Sequence, residues 1–420
     1  MDFTLDTGNT AWIIVATALV LLMTPGLAFF YGGMVRTKSV LNMMMMSFIS
    51  IFTVAVVWVV YVYGLAFGPG EGLFGSISGL IGLNGYADAD GLGAGVGIPA
   101  LVMVAFQATF AIITVALISG SVADRMKFGA WTLFTVIWVS LVYAPIAHGV
   151  WGGGLLGSFS PSTVIDFAGG TVVHINAGVA GLVLALLLGT RKGFGKEPMK
   201  PHNLPFVMLG SALLWFGWFG FNAGSEWAAD ATAGRAFLNT LVAPGIAALA
   251  WLLVEKIRDG KPTSLGGASG IVAGLVAITP AAAAVDTWGA LAIGAIAGAI
   301  CAMAVSLKYK FGYDDSLDVV GVHLVGGVIG TVLLGFFANL DEGTTWAPDG
   351  ALNGLFYGGD FTQLASQIIG ALVAIVYSGV LTLIIGLALK YTIGIRVAEE
   401  VEVAGIDLAE HGETAYEEAL

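Results

Sequence analysis

Long apolar runs alternate with short clusters of charge along almost the whole chain. A bilayer core of roughly 30 Å is crossed by about 20 residues of apolar helix. On that measure the pattern predicts eleven spans, at about 10–34, 40–66, 98–121, 128–147, 167–189, 203–224, 233–256, 265–284, 288–307, 318–339 and 361–393. The seventh to ninth are crowded, and the eleventh is long enough to tilt strongly or to project beyond the core. The expected fold class is an all-α polytopic membrane protein.

Lys and Arg concentrate in cytoplasmic segments, so they set the expected orientation. With the N-terminus outside, the inner segments hold Arg36, Lys38, Arg125, Lys127, Arg191, Lys192, Lys196, Lys200, Lys256, Arg258, Lys261, Lys308, Lys310, Lys390 and Arg396. That is 15 of the 16 basic residues; only Arg235 falls outside. Losing or adding one span scrambles this alternation.

Eleven spans divide as five, five and one. Five is odd, so a repeated five-helix unit is inverted in the membrane, an arrangement that places transport sites near the midplane. The matching fifth and tenth spans each carry one histidine, His174 and His323. His174 follows Asp166 by eight residues from one face, and His323 follows Asp315 by eight from the other. At about 1.5 Å per residue each ring lies roughly 12 Å in from its face. The two rings are therefore expected at similar depth, able to share a hydrogen bond in which one donates and the other accepts. Intramembrane ionisable residues are expensive and mark pathways; the bland alternative is a structural pair closing a polar gap between helices. His148, His202 and His411 lie near span ends or in polar segments and read as ordinary surface or interface histidines.

Composition sharpens the class. The chain is 57% hydrophobic and only 10% charged, against roughly 25% charged in soluble proteins. Its 61 glycines suit close helix packing. Cys301 is the single cysteine, which rules out an intrachain disulfide and a thiolate metal cage. No cofactor is expected, and no GxxxxGK[ST] loop for ATP is present. The net charge of −12 and the lack of a basic face exclude a nucleic-acid partner. The start, with Asp2 and Asp6 and no nearby Lys or Arg, lacks the positive region of a secretory signal, so the first span is expected to be retained. The run Asn42–Phe48 is rich in methionine, but consecutive residues do not share one helical face, which favours packing or lipid contact over a metal box.

Six stretches carry a resemblance: PGLAFFYGGMV (Pro25–Val35), FQATFAIITVALISGSVADR (Phe106–Arg125), HGVWGGGLL (His148–Leu156), DFAGGTVVHINAG (Asp166–Gly178), WFGWFGFNAGS (Trp215–Ser225) and DVVGVHLVGG (Asp318–Gly327). Together, in this order, they resemble the ammonium transporter family (Amt/Mep/Rh), and the bacterial and archaeal Amt branch more than the Rh proteins. The resemblance runs nearly end to end and includes the tail. It implies a homotrimer in the cell membrane with one pore per subunit. It implies ammonium recruitment by Phe110, Trp151 and Ser225, supported by Asp166 without contact to substrate. It implies a gate of Phe110 and Phe221, and a narrow pore lined by His174, His323 and Trp218. No departure from the family pattern falls on these positions.

Physical chemistry makes the path intelligible. Aromatic faces attract a cation by about 0.5–2 kcal/mol, which recruits ammonium without replacing its hydration. The Ser225 hydroxyl can accept a hydrogen bond from N–H, which potassium does not offer. Asp166 reads equally well as a source of negative potential and as a helix N-cap. A bare cation entering an apolar constriction stays charged at large cost or loses a proton. The expected function is ammonium transport in which NH4+ is deprotonated near the phenylalanines and NH3 passes the histidines. One alternative is an ammonium sensor that signals through its tail. Another is an intramembrane serine protease built on the Gly267–Gly270 stretch, with Ser269 as nucleophile and His323 as base.

Two domains are expected: a membrane domain over 1–393 and a cytoplasmic regulatory tail over 394–420. The tail holds Glu399, Glu400, Glu402, Asp407, Glu410, Glu413, Glu417 and Glu418, with Val401, Val403, Ile406 and Leu408 between the acids. It reads either as a disordered solubilising tail or as a segment that docks on the basic inner loops. The resemblance implies that it couples subunits and receives a cytoplasmic PII-type signal-transduction protein.

Overall fold

The computed structural model describes residues 4–84, 86 and 97–416; Asp2, Glu417 and Glu418 lie outside the described residues. Among the described residues, eleven apolar helices are long enough to cross a membrane: α1 Thr7–Met34, α2 Thr37–Phe67, α3 Ala100–Val122, α4 Phe128–Trp151, α5 Gly170–Leu188, α6 Leu204–Gly224, α7 Ala231–Arg258, α8 Ser264–Ala281, α9 Thr287–Phe311, α10 Val320–Phe337 and α11 Phe361–Thr392. Every predicted span is present. The ends move where local chemistry decides them. Asp6, Asn203, Asp230, Thr263, Asp286 and Asp360 accept from free backbone N–H groups in the first turns of α1, α6, α7, α8, α9 and α11. The last turn of α8 tightens to a 3-10 turn, Thr279–Ala281, at Pro280.

The repeat is visible in how α5 and α10 begin. Each opens on a π-helical turn, Gly170–Ile175 and Val320–Leu324, and each turn carries its histidine. Three residues after each aspartate the backbone is left-handed, at Gly169 (φ 120°) and at Asp318 (φ 64°). Five residues after each aspartate its carboxylate accepts a backbone N–H: Thr171 N to Asp166 at 2.8 Å and Val320 N to Asp315 at 2.7 Å. The eight-residue spacing legible in the sequence is thus one structural device used twice.

Small residues let the two helices approach. Gly178 lies four residues after His174, and a Cβ there would sit 2.5 Å from Leu324 N. Gly327 lies four residues after His323, and a Cβ there would sit 3.1 Å from His174 Cβ and from Ile175 N. Each histidine's helix is therefore held against the residue that follows the other histidine.

The face rich in arginine is tied by buried charge. Arg191 meets Asp314 through Nε and Nη2, both at 2.9 Å, and Asp124 through Nη1 at 3.2 Å. Arg125 donates to the Asp314 carbonyl and to Ser316 Oγ, both at 2.6 Å. These bonds join the α3–α4, α5–α6 and α9–α10 connections. Burial alone would raise the Asp314 carboxyl, but the Arg191 guanidinium wins and holds it below the usual range.

The tail docks on the same face as two short helices, α12 Glu399–Ala404 and α13 Ile406–His411. Glu402 receives Arg396 at 2.7 Å, and Glu399 receives Lys192 at 2.8 Å. Asp407 accepts from Leu41 N and Asn42 N at the start of α2. Of the two readings of the tail, the docked one describes it through Tyr416.

Replacing Gly178 with Ala is expected to destabilise the protein by about 1–3 kcal/mol, since backbone must move to admit the methyl group. Gly327→Ala should cost less, and Gly245→Ala, where a Cβ meets nothing within 4 Å, should be neutral or stabilising. Thermal unfolding of the three purified variants checks that order.

Candidate functional site

Asp166 organises the start of α5. Its carboxylate accepts five hydrogen bonds, from the N–H groups of Gly169, Gly170, Thr171 and Val172 and from the Thr171 hydroxyl. It occupies the donors that the first turn of α5 leaves free, as an N-cap does. Its carbonyl accepts the Trp151 indole N–H at 2.8 Å. Asp166 is buried, so it acts on the site through the helix start and Trp151.

The Trp151 ring stands edge-on to Phe110, 6.1 Å between centroids. Phe110 stacks on Phe221 at 4.1 Å and 19°. Both phenylalanines are fully buried, so no open channel passes between the rings in this conformation. Ser225 closes α6 four residues after Phe221, and its hydroxyl donates to the Phe221 carbonyl at 2.8 Å. That bond uses the hydroxyl hydrogen and leaves oxygen lone pairs able to accept. The six positions Phe110, Trp151, Asp166, Phe221, Ser225 and His174 thus form one continuous set.

Below the phenylalanines lies a narrow cavity lined by His174, His323, Trp218, Phe221 and aliphatic side chains that include Leu27, Ile113 and Val272. About 10 Å³ is open to the centre of a water-sized sphere, roughly what a single water needs. His174 Nδ1 and His323 Nδ1 lie 3.3 Å apart, one donating and one accepting. The rings are 28° from parallel, and the Trp218 indole stacks on His174 at 5.4 Å. Trp218 is fixed by donating to Thr279 Oγ1 at 2.8 Å. His174 Nε2 is buried with no hydrogen-bond partner among the described residues. A polar atom with an open valence beside a cavity of this size offers a small N–H molecule a hydrogen bond.

Three residues of this site escaped the sequence reading. Phe106 and Trp227 extend the aromatic wall, Trp227 edge-on to Phe106 at 5.0 Å and Phe106 against Phe110 at 4.9 Å. Thr279 orients Trp218. The signals were present as Phe106 one turn before Phe110, an aromatic just past Ser225, and a Thr-Pro pair ending α8.

Other positions fall elsewhere. His148 is fully buried, its two nitrogens facing the Ala66 and Gly70 carbonyls at 3.0 and 3.1 Å. It fastens the end of α2 and the segment after it to α4, which places it at a helix interface and not at the surface, the two alternatives its sequence position left open. His202 meets Val35 O and the Tyr416 hydroxyl, and His411 meets Asn42 Oδ1. Met43 and Met46 pack in the core while Met44 and Met45 are half-buried. His323 makes its side-chain hydrogen bond with His174, and no bond to Ser269 occurs among the described residues, so the serine–histidine pair required for a protease is not formed.

Removing the Asp166 side chain strands four backbone donors. Asp166→Ala is expected to lower stability by at least about 2 kcal/mol, and Asp166→Asn by less because one acceptor oxygen remains. Melting temperatures of both variants against the parent test this.

The profile of the Ammonium Transporter Family matches residues 11–416. An ammonium transporter of Mycobacterium tuberculosis (strain ATCC 25618 / H37Rv) is 55% identical over 438 aligned residues, covering 99% of this chain and 91% of that protein. Ammonium transporter Amt1 of Archaeoglobus fulgidus is 42% identical over 409 residues, covering 97% of this chain and 99% of the relative. The crystal structure of Candida albicans Mep2 superposes with a TM-score of 0.87 at 33% identity, covering 99% of this chain and 92% of the other.

Proposed function

The chain belongs to the ammonium transporter family, and on that premise we propose that it carries ammonium across the cell membrane by admitting NH4+ to an outer vestibule and conducting NH3. The observation that carries this reading is the bonded pair His174–His323 in an apolar cavity beneath stacked Phe110 and Phe221.

Trp151, Phe110 and Ser225 receive the cation, with Asp166 holding the helix start behind them. Cation–π attraction of about 0.5–2 kcal/mol concentrates ammonium there. It falls far short of the penalty for moving a bare ion into an apolar medium, which reaches tens of kcal/mol in the Born limit. The cation therefore gives up a proton to water on the vestibule side of Phe110 and Phe221, and neutral ammonia enters the cavity. There the imidazoles and the Trp218 face guide it, His174 Nε2 supplying a hydrogen-bonding atom. Potassium has no proton to lose and is rejected by the same energetic argument.

The rest of the reading follows from family membership and from the distribution of basic residues. The N-terminus lies outside and the tail in the cytoplasm, with 1–393 the membrane domain and 394–420 regulatory. Three copies assemble, each with its own pore. A cytoplasmic PII-type protein engages the tail, where the ion pairs of Glu399 and Glu402 with Lys192 and Arg396 give it contacts to rearrange.

In liposomes, isotopic ammonium flux recorded together with current is expected to require both histidines as a pair. The double variant His174→Asp/His323→Glu should change flux and admit potassium; unaltered flux with intact potassium exclusion would defeat the role given to the rings. Truncation after Arg396 is expected to change flux or PII association, and an effect on neither would remove the tail from regulation.

A further inference from the structure

Glu226 stands in the turn between α6 and α7, directly after Ser225 and directly before Trp227. Ser225 belongs to the proposed recruitment site, and the Trp227 ring lies against Phe106, which in turn lies against Phe110. The turn is rigid. Trp227 holds a left-handed backbone (φ 63°) and donates its N–H to the Gly224 carbonyl at 3.0 Å. Ala229 N donates to Asn9 Oδ1 at 2.9 Å, which pins the turn to the start of α1.

Within this frame the Glu226 carboxylate is half-buried, and its Oε2 is shielded without any hydrogen-bond partner. No Lys or Arg pairs with it among the described residues. The one basic residue on this face, Arg235, is engaged by Glu342 and Thr344. A shielded carboxylate oxygen with nothing to satisfy it is unfavourable unless a proton or a cationic N–H ligand completes it. Burial first, and then the negative charge of Asp230, push the Glu226 carboxyl up to about 7. Among the described residues, the other charged groups on the neighbouring elements are Asp6, which caps α1, Asp166 ahead of α5, and Arg235 in its ion pair on α7.

We propose that Glu226 is an additional ammonium-recruiting carboxylate of the vestibule, binding the small N–H cation as an ion pair beside the Ser225 hydroxyl and the aromatic faces. This rests on the transport reading for the direction of use but not for binding itself. The rings supply a face and the hydroxyl an acceptor; Glu226 supplies the full negative charge that neither has. Its charge is present above neutrality and lost as protons fill it below, so recruitment strengthens as pH rises through about 7.

The test uses the full chain in nanodiscs and in liposomes, with ammonium chloride as the probe. Binding is read from tryptophan fluorescence and transport from isotopic flux, between about pH 5.5 and about pH 8.5, a range that brackets the titration. The expected result at about pH 8 is a three- to tenfold rise, roughly, in both Kd and KM for Glu226→Gln, and a loss of the pH step that the parent shows. Glu226→Asp is expected to keep that step. If Glu226→Gln binds and transports like the parent with the same pH profile, the proposal is overturned while transport stands. If the parent binds ammonium and loses affinity on Glu226→Gln yet shows no flux, the carboxylate's role holds and the transport reading falls.

Discussion

The close crossing of α5 and α10 is the constraint on which the site depends. Two imidazoles can share one hydrogen bond only if their helices meet at one depth with about a side chain's width between them. Gly178 and Gly327 allow the approach, each four residues beyond its histidine and each against the backbone just past the other. The π-helical turns at Gly170–Ile175 and Val320–Leu324 set the rotation of the rings. Single π turns inside α-helices recur at functional sites because they redirect a side chain without ending the helix. Asp166 and Asp315 stand at the start of these turns and occupy their exposed N–H groups.

Away from that crossing the two ends of the helix bundle differ. One end is aromatic, with Trp151, Trp227, Phe106 and Phe110 as walls, Ser225 as a polar point and the Glu226 carboxylate in the next position of the chain. Aromatic faces attract a cation by about 0.5–2 kcal/mol. The other end is tied by Arg125, Arg191, Asp124 and Asp314, whose buried charges are paired and hydrogen-bonded. Pairing of this kind fixes loop positions more than it adds net stability, because desolvation consumes most of the attraction. The tail rests on this platform, with Glu402 accepting from Lys192 N in the α5–α6 connection and from Arg396, and Asp407 accepting from Leu41 N and Asn42 N near the start of α2.

Apolar periodicity, charge placement and spacing determined the number of spans, the paired histidines and the matching halves. The reason is that lipid leaves a backbone no choice but to satisfy its own hydrogen bonds, so long apolar runs become helices whatever surrounds them. The eight-residue interval from Asp166 to His174 and from Asp315 to His323 was legible because it is local. Contacts between distant segments were not. The pairing of Phe110 with Phe221 was implied only by the family resemblance, and nothing in the run of residues says that Thr279 holds Trp218 or that His148 is buried between two carbonyls. Those are set by which helix faces meet, and in a chain apolar on nearly every face, periodicity does not choose the partner. Side-chain size and close glycine contact make that choice, and only the folded packing expresses it.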